Sequence, residues 1–249
     1  MLMVTDIRRS LDPVQLMRDG GLTPDTWQAD LLQSASKRIL MLCSRQSGKT
    51  EVAITKAEHT ALYKPGSLSL IVSPSQRQSG EVFRRLMLLH STLSGVPNLV
   101  AESALRAEYA NGSRVLALPG TERTIRGLAG ADLILLDEAA RVDDELLAAM
   151  RPMMATVNGS LIALTTPKGK RGWFFEAWTG GEKSWHRVKV SASQCPRLTK
   201  EFLAEELREL GAMRFSEEYQ LEFLEADESV FPTAIIDRAF TTEVQPLWG

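Results

Sequence analysis

The sequence predicts an α/β fold with a mostly parallel sheet flanked by helices, and three observations carry that expectation. Short apolar runs alternate with longer amphipathic segments, the strand–helix–strand order of parallel crossovers. A Gly48-Lys49-Thr50 triplet stands between an apolar run and a helical segment. An acidic pair, Asp137-Glu138, closes another apolar run.

Residues 38–43 (RILMLC), 68–73 (LSLIVS), 114–118 (RVLAL), 132–136 (DLILL), 160–165 (SLIALT) and 185–190 (WHRVKV) read as strands. Most of the first five are apolar on both alternations, as suits strands covered on both faces. Between them 49–63, 75–90 and 143–150 read as helices, the last with an Asp143-Asp144 N-cap. Asn111-Gly112 between 105–110 and 114–118 signals a hairpin and an antiparallel element. Further on, Leu203, Leu207 and Leu210 fall at helical spacing, and 212–221 continues as a second helix before Pro232. These features divide the chain into a core at 1–194, a small helical lid at 195–232 and a linker or tail at 233–249.

The 249 residues, 44% hydrophobic and 24% charged, suit an ordinary globular chain that buries its core without disulfides and exclude a disordered or fibrous one. With 29 basic and 31 acidic side chains the net charge is -2, so any nucleic-acid contact must be local. Cys43 and Cys195 lie far apart outside any zinc-ligand spacing, which points to a reducing compartment. Apolar runs such as 133–136 are far shorter than the roughly 20 residues of a membrane span. Residues 1–10 lack a signal-peptide core, so a cytoplasmic location is expected. The N-x-Ser matches at Asn111 and Asn158 then read as turn chemistry. His59, His90 and His186 show no ligand spacing.

The chemistry starts at Ser44-Arg45-Gln46-Ser47-Gly48-Lys49-Thr50. A loop between strand and helix ending Gly-Lys-Thr can wrap backbone N–H groups around phosphate oxygens. Lys49 then reaches the β and γ phosphates and the Thr50 hydroxyl serves Mg2+. Cys43 stands where the first glycine of G-x-x-x-x-G-K-[ST] belongs. At the carboxyl end of its strand, where open α/β sheets put their ligands, Asp137 can serve Mg2+ and Glu138 can act as general base on the attacking water. The alternative for this pair is an N-cap of the next helix. Together the motifs predict a P-loop NTPase of the ASCE type that hydrolyses ATP or GTP.

In this ordered set the chain resembles the ATPase half of viral (bacteriophage) large terminase subunits. The set comprises the aromatic–glutamine motif Leu22-Thr23-Pro24-Asp25-Thr26-Trp27-Gln28, the arginine-bearing loop at 44–50, Ser73-Pro74, Ile125-Arg126-Gly127, Asp137-Glu138-Ala139-Ala140 and Thr165-Thr166-Pro167. The resemblance covers nearly the whole chain. It implies a Mg2+-dependent ATPase that couples hydrolysis to translocation of double-stranded DNA into a procapsid. Its implied partners are the portal protein, the small terminase subunit and other copies of itself. The copies would form a pentameric ring on the portal in the host-cell cytoplasm, with a monomer in isolation and no membrane.

By the same resemblance Gln28 reads the adenine, Trp27 packs near the base or in the core, and Arg45 senses the γ phosphate. Thr165 and Thr166 feel its loss and pass it to the lid. Arg126 completes a neighbour's site, with Arg123 and Arg141 as competitors. Lys168, Lys170 and Arg171 are candidates for DNA contact, and Arg84-Arg85 add charge on the helix after Ser73-Pro74. Large terminases usually continue into a nuclease domain. The tail at 233–249 offers only Asp237 and Glu243 as carboxylates, so no DNA cleavage is expected of these 249 residues. Two other readings stay open: a helicase-like P-loop ATPase, and a catalytically degenerate nucleotide-binding scaffold.

Overall fold

In the computed structural model, which describes residues 2–121, 125 and 127–225, the apolar runs become one eight-stranded sheet. Its strands are β1 (Arg38–Cys43), β2 (Leu68–Ser73), β3 (Leu99–Ser103), β4 (Arg106–Tyr109), β5 (Arg114–Pro119), β6 (Leu133–Asp137), β7 (Ser160–Thr165) and β8 (His186–Val190). Their order is β3-β4-β5-β2-β6-β7-β1-β8. Neighbours from β5 to β8 are parallel. β3 and β4 add an antiparallel margin. β7 lies between β1 and β6, the additional strand expected of the ASCE arrangement, so Thr165 ends between the phosphate loop and the acidic pair.

The continuous apolar runs are explained by cores on both faces. Ile39, Met41, Leu133, Leu135, Ile162 and Leu164 point into one, and Leu40, Leu42, Ile134, Leu136, Leu161 and Ala163 into the other. Helices α2 (Pro13–Asp19), α3 (Thr26–Gln33), α4 (Lys49–Tyr63) and α5 (Gln76–Thr92) cover the first face, behind α1 (Leu2–Leu11). Helices α6 (Asp144–Ala155) and α7 (Gly172–Thr179) cover the second. The Asn111-Gly112 turn joins β4 to β5 as expected, with Gly112 at φ 83°. Asn111 Nδ2 donates to the carbonyls of Ala61 and Leu62, pinning the turn to the end of α4.

Several local expectations are corrected. Helix α6 runs through Pro152 to Ala155 rather than ending at 150, because Met153 is buried in the second core and holds the last turn down. Asp143 stands at its N-cap without a side-chain bond, and the Asp144 carboxylate instead accepts the Trp173 N–H at 2.9 Å. Helices α1, α2 and α7 and strand β3 were not expected. Helix α8 (Lys200–Phe215) is interrupted at Gly211 (φ 75°, ψ 164°), matching the two-helix reading, and ends in one wide turn, Ser216–Gln220. No residue of α8 is fully buried; the segment is seated by Cys195, Leu198 and Tyr219, which enter the first core. Pro232 and the whole tail at 233–249 lie outside the described residues.

Behind the first face a buried carboxylate is satisfied by two donors. Glu58, fully buried, accepts from Tyr109 Oη at 2.7 Å and pairs with His90 Nδ1 at 2.8 Å. Tyr109→Phe removes one donor and leaves a desolvated oxygen, so it should cost about 1–3 kcal/mol in urea unfolding. A loss within experimental error would show that the hydroxyl contributes nothing to stability.

Candidate nucleotide site

The loop between β1 and α4 emerges at the carboxyl edge of the sheet. Ser44 N–H donates to the Val190 carbonyl at 2.9 Å, tying the loop's first residue to β8. Gln46 at φ 57° and Gly48 at φ 86° are both left-handed. Glycine suits position 48, where the left-handed backbone strains any other residue and a Cβ would push Gln28 Nε2, 2.7 Å away, off the Gly48 carbonyl. Cys43 fills the missing first-glycine position as a buried thiol whose pKa burial pushes up to about 12, so it is held in the protonated form and packs as a small apolar side chain. The backbone N–H groups of the first turn of α4 have no partner inside the helix, which is what an anion requires.

Across the edge, Lys49 Nζ lies 3.8 Å from Glu138 Oε1. Asp137 ends β6 with Oδ1 buried and unpartnered, and it lines a cavity of about 520 Å³ with Thr50, Arg77, Gln78 and Arg85. Burial, and then the charge of Glu138, raise its pKa to about 6. An orphaned carboxylate oxygen beside a threonine hydroxyl fits a magnesium ion, and Thr50 and Asp137 are the residues that would hold it. Asp137 makes no helix cap.

Glu138, left-handed at φ 52°, receives a hydrogen bond from Arg141 Nη1 at 2.5 Å. The same nitrogen donates to Thr166 Oγ1 at 3.3 Å. Thr165 Oγ1 accepts from the Ala140 N–H at 3.3 Å and donates to the Thr166 carbonyl at 2.6 Å. Glu138, through Arg141, and Ala140 therefore join the Thr-Thr element in one hydrogen-bonded unit, and Arg141 is engaged within its own subunit.

Arg45 Nε donates to Glu218 Oε2 at 2.9 Å with 60% of its side chain exposed, and the Arg45 N–H donates to the Glu218 carbonyl. Glu217 accepts from the Gly169 N–H at 3.3 Å. The turn at Ser216–Gln220 thus touches both the phosphate loop and the loop after Thr165-Thr166-Pro167.

The other predicted residues fall as follows. Gln28 is buried against the loop; its Oε1 accepts from the Asp25 N–H at 2.8 Å and its Nε2 donates to the Gly48 carbonyl at 3.2 Å. One N–H and one lone pair of this amide remain. Trp27 is partly buried against the first core. Lys168, Lys170 and Arg171 are exposed in the neighbouring loop, Lys170 lying 3.9 Å from Glu225. Arg84 and Arg85 are paired with Glu81, Arg85 also with Glu51. Arg126 and Arg123 lie outside the described residues.

Sequence reading did not anticipate Glu218 or Arg197, whose partners lie about 170 positions away and leave no spacing signal. It considered Arg141 only as an arginine acting in trans, although the i,i+3 spacing to Glu138 signals the contact the structure shows.

Comparison with known proteins gives the family of the chain. Residues 40–238 match the family model described as terminase large subunit, T4likevirus-type, N-terminal. The large terminase subunit of Thermus phage G20c is 31% identical over 186 residues, covering 66% of this chain and 38% of that protein. That of Thermus virus P23-45 is 29% identical over the same length. The chain thus spans well under half of the curated relatives it matches. Among solved structures, the large terminase ATPase domain of Thermus phage P74-26 superposes with a TM-score of 0.71 at 23% identity, covering 85% of this chain and 97% of that one. The large terminase of bacteriophage D6E in complex with ADP superposes with a TM-score of 0.67 at 12% identity, covering 85% and 53%. These two likenesses show the fold, and the family match places the chain: it belongs to the large terminase subunit family.

Proposed function

We propose that the chain is an ATP-hydrolysing motor portion of a phage large terminase, coupling hydrolysis to translocation of double-stranded DNA into a procapsid. The observation that carries the reading is the convergence at one sheet edge of Lys49, Thr50, the unpartnered Asp137 Oδ1, Glu138 and the Thr165-Thr166 element. The solved complexes of the D6E large terminase with ADP and with ATP-gamma-S support ATP as the nucleotide.

In this reading the loop at 44–50 cradles the phosphates through its N–H groups, and Lys49 neutralises the β and γ oxygens. Arg45 leaves Glu218 to face the γ phosphate. Glu138 accepts the proton of the attacking water as oxygen bonds to the γ phosphorus and the bond to ADP breaks. Magnesium, when bound, neutralises charge on the phosphate oxygens. Gln28 uses its remaining N–H and lone pair on the adenine edge. Loss of the γ phosphate reaches the Ser216–Gln220 turn through Thr165, Thr166 and the Gly169–Glu217 contact. Lys168, Lys170 and Arg171 supply the DNA contact. The portal protein, the small subunit and further copies in a ring on the portal, in the host cytoplasm, are the assembly partners.

Asp137 gives the test. It must be ionised to hold the metal, and in the free protein it loses its proton only near pH 6. Mg2+-dependent nucleotide affinity should therefore hold above pH 6 and fall about tenfold by pH 5. Asp137→Asn should weaken Mg2+-dependent binding at pH 7.5 and retain only the nucleotide's own pH slope. Calorimetric titration across this range checks both. Equal Mg2+ dependence in parent and variant would remove Asp137 from the metal site.

A further inference from the structure

Two consecutive peptide units of the phosphate loop are held from behind. Arg197 Nη2 donates to the Ser47 carbonyl at 2.7 Å, and Gln28 Nε2 donates to the Gly48 carbonyl at 3.2 Å. In a planar trans peptide the C=O and the following N–H point in opposite directions. Anchoring the Ser47 oxygen therefore turns the Gly48 N–H away from Arg197, and anchoring the Gly48 oxygen does the same for the Lys49 N–H. These N–H groups, at the entry to α4, are the donors such a loop offers to phosphate.

Arg197 is itself fixed. Its guanidinium forms a two-pronged pair with Asp25, Nη1 to Oδ1 at 3.1 Å and Nη2 to Oδ2 at 2.8 Å. Asp25 caps α3, and its backbone N–H is bound by Gln28. Arg197, Asp25, Gln28, Gly48 and Ser47 thus close a ring of contacts behind the loop. The arginine comes from the approach to α8, two residues before its cap Thr199. The planar fork meets both carboxylate oxygens from two nitrogens and the carbonyl from one of them, a fixed geometry that the single nitrogen of an ammonium does not reproduce.

We propose that Arg197 is a positioning residue for phosphate recognition, orienting the Ser47–Gly48 peptide so that its N–H faces the nucleotide. The proposal rests on the nucleotide-binding reading of the loop. It differs from roles for Lys49 or Arg45, because Arg197 acts through a carbonyl on the far side of the chain.

The experiment is calorimetric titration of ADP, ATP and GTP into the full chain, with KM and kcat for ATP, in the parent, Arg197→Ala, Arg197→Lys and Asp25→Asn, and in Arg197→Ala combined with Asp25→Asn. Arg197→Ala should raise Kd for ADP and ATP alike by about tenfold, the scale of a lost charge-assisted bond, and KM with them, while kcat falls by less than about threefold. Arg197→Lys, which keeps the charge but not the two-nitrogen fork, should fall between parent and alanine variant. Asp25→Asn should weaken binding alone and add little once Arg197 is gone, because both act through one brace.

A variant that merely unfolds would lose apparent kcat at constant KM, and that pattern in both Arg197 variants would overturn the proposal. So would a Kd for ADP within twofold of the parent's in Arg197→Ala. So would a change confined to the preference for ATP over GTP, which would place Arg197 at the base instead. Absence of ADP binding by the unaltered chain would remove the loop reading itself, a result distinct from the other three.

Discussion

Glu138→Ala is expected to lower ATP turnover by about 10²- to 10⁴-fold, the range for loss of a positioned general base, while nucleotide still binds. Binding survives because the phosphates are held by Lys49, the loop N–H groups and the Asp137–Thr50 pair, none of which needs the Glu138 carboxylate. The structure adds a condition. Glu138 accepts from Arg141, which also reaches Thr166. Arg141→Ala should therefore misplace the base and lower kcat with little change in KM. Equilibrium binding and steady-state turnover separate the roles. Loss of nucleotide affinity in the Glu138 variant, together with retained hydrolysis in an Asp137 variant, would exchange the two assignments.

The second large effect is expected at Arg126. Arg141 is occupied in cis by Glu138, which leaves Arg126, with Arg123 as its remaining competitor, for the arginine that the proposed ring would offer to a neighbour. Its position lies among Ile125, Gly127 and Gly130, twelve before Glu138. An arginine acting in trans neutralises charge on the transferring phosphoryl group and is worth about 10³-fold or more in turnover, without contributing to nucleotide binding by a single subunit. Arg126→Ala should bind ATP like the parent yet hydrolyse it about 10³-fold more slowly when assembled. Mixing Arg126→Ala with Glu138→Ala subunits should restore part of the activity, because some interfaces then pair an intact Glu138 with an intact neighbouring Arg126. Unrestored activity in assembled mixtures would remove Arg126 from the mechanism.

What the sequence made legible follows from where side chains are buried. β1, β2, β6 and β7 could be read because both faces are covered and the runs are continuously apolar. The site could be read where a strand end supplies consecutive polar residues, as at Asp137-Glu138 and Thr165-Thr166. β3 could not, since four of its five residues are exposed and carry no alternation. α1 carries Val4, Ile7 and Leu11 at helical spacing, a stripe the sequence reading passed over, and the structure leaves all three exposed rather than in a core. α7, with Trp173, Phe174, Phe175 and Trp178 in eight residues, has too few polar positions to display a period. The pairs Arg197 to Asp25 and Arg45 to Glu218 join distant segments whose meeting depends on how the chain after β8 returns to the sheet.

The central claim, a site that hydrolyses ATP and is completed by a neighbouring copy, is tested most directly by Mg2+-dependent ATP turnover per subunit as a function of protein concentration. A low rate is expected at dilution, climbing as subunits associate in parallel with their assembly by light scattering and staying near background throughout for Glu138→Ala. A rate per subunit independent of concentration across the assembly range, or no turnover at any concentration, would contradict it.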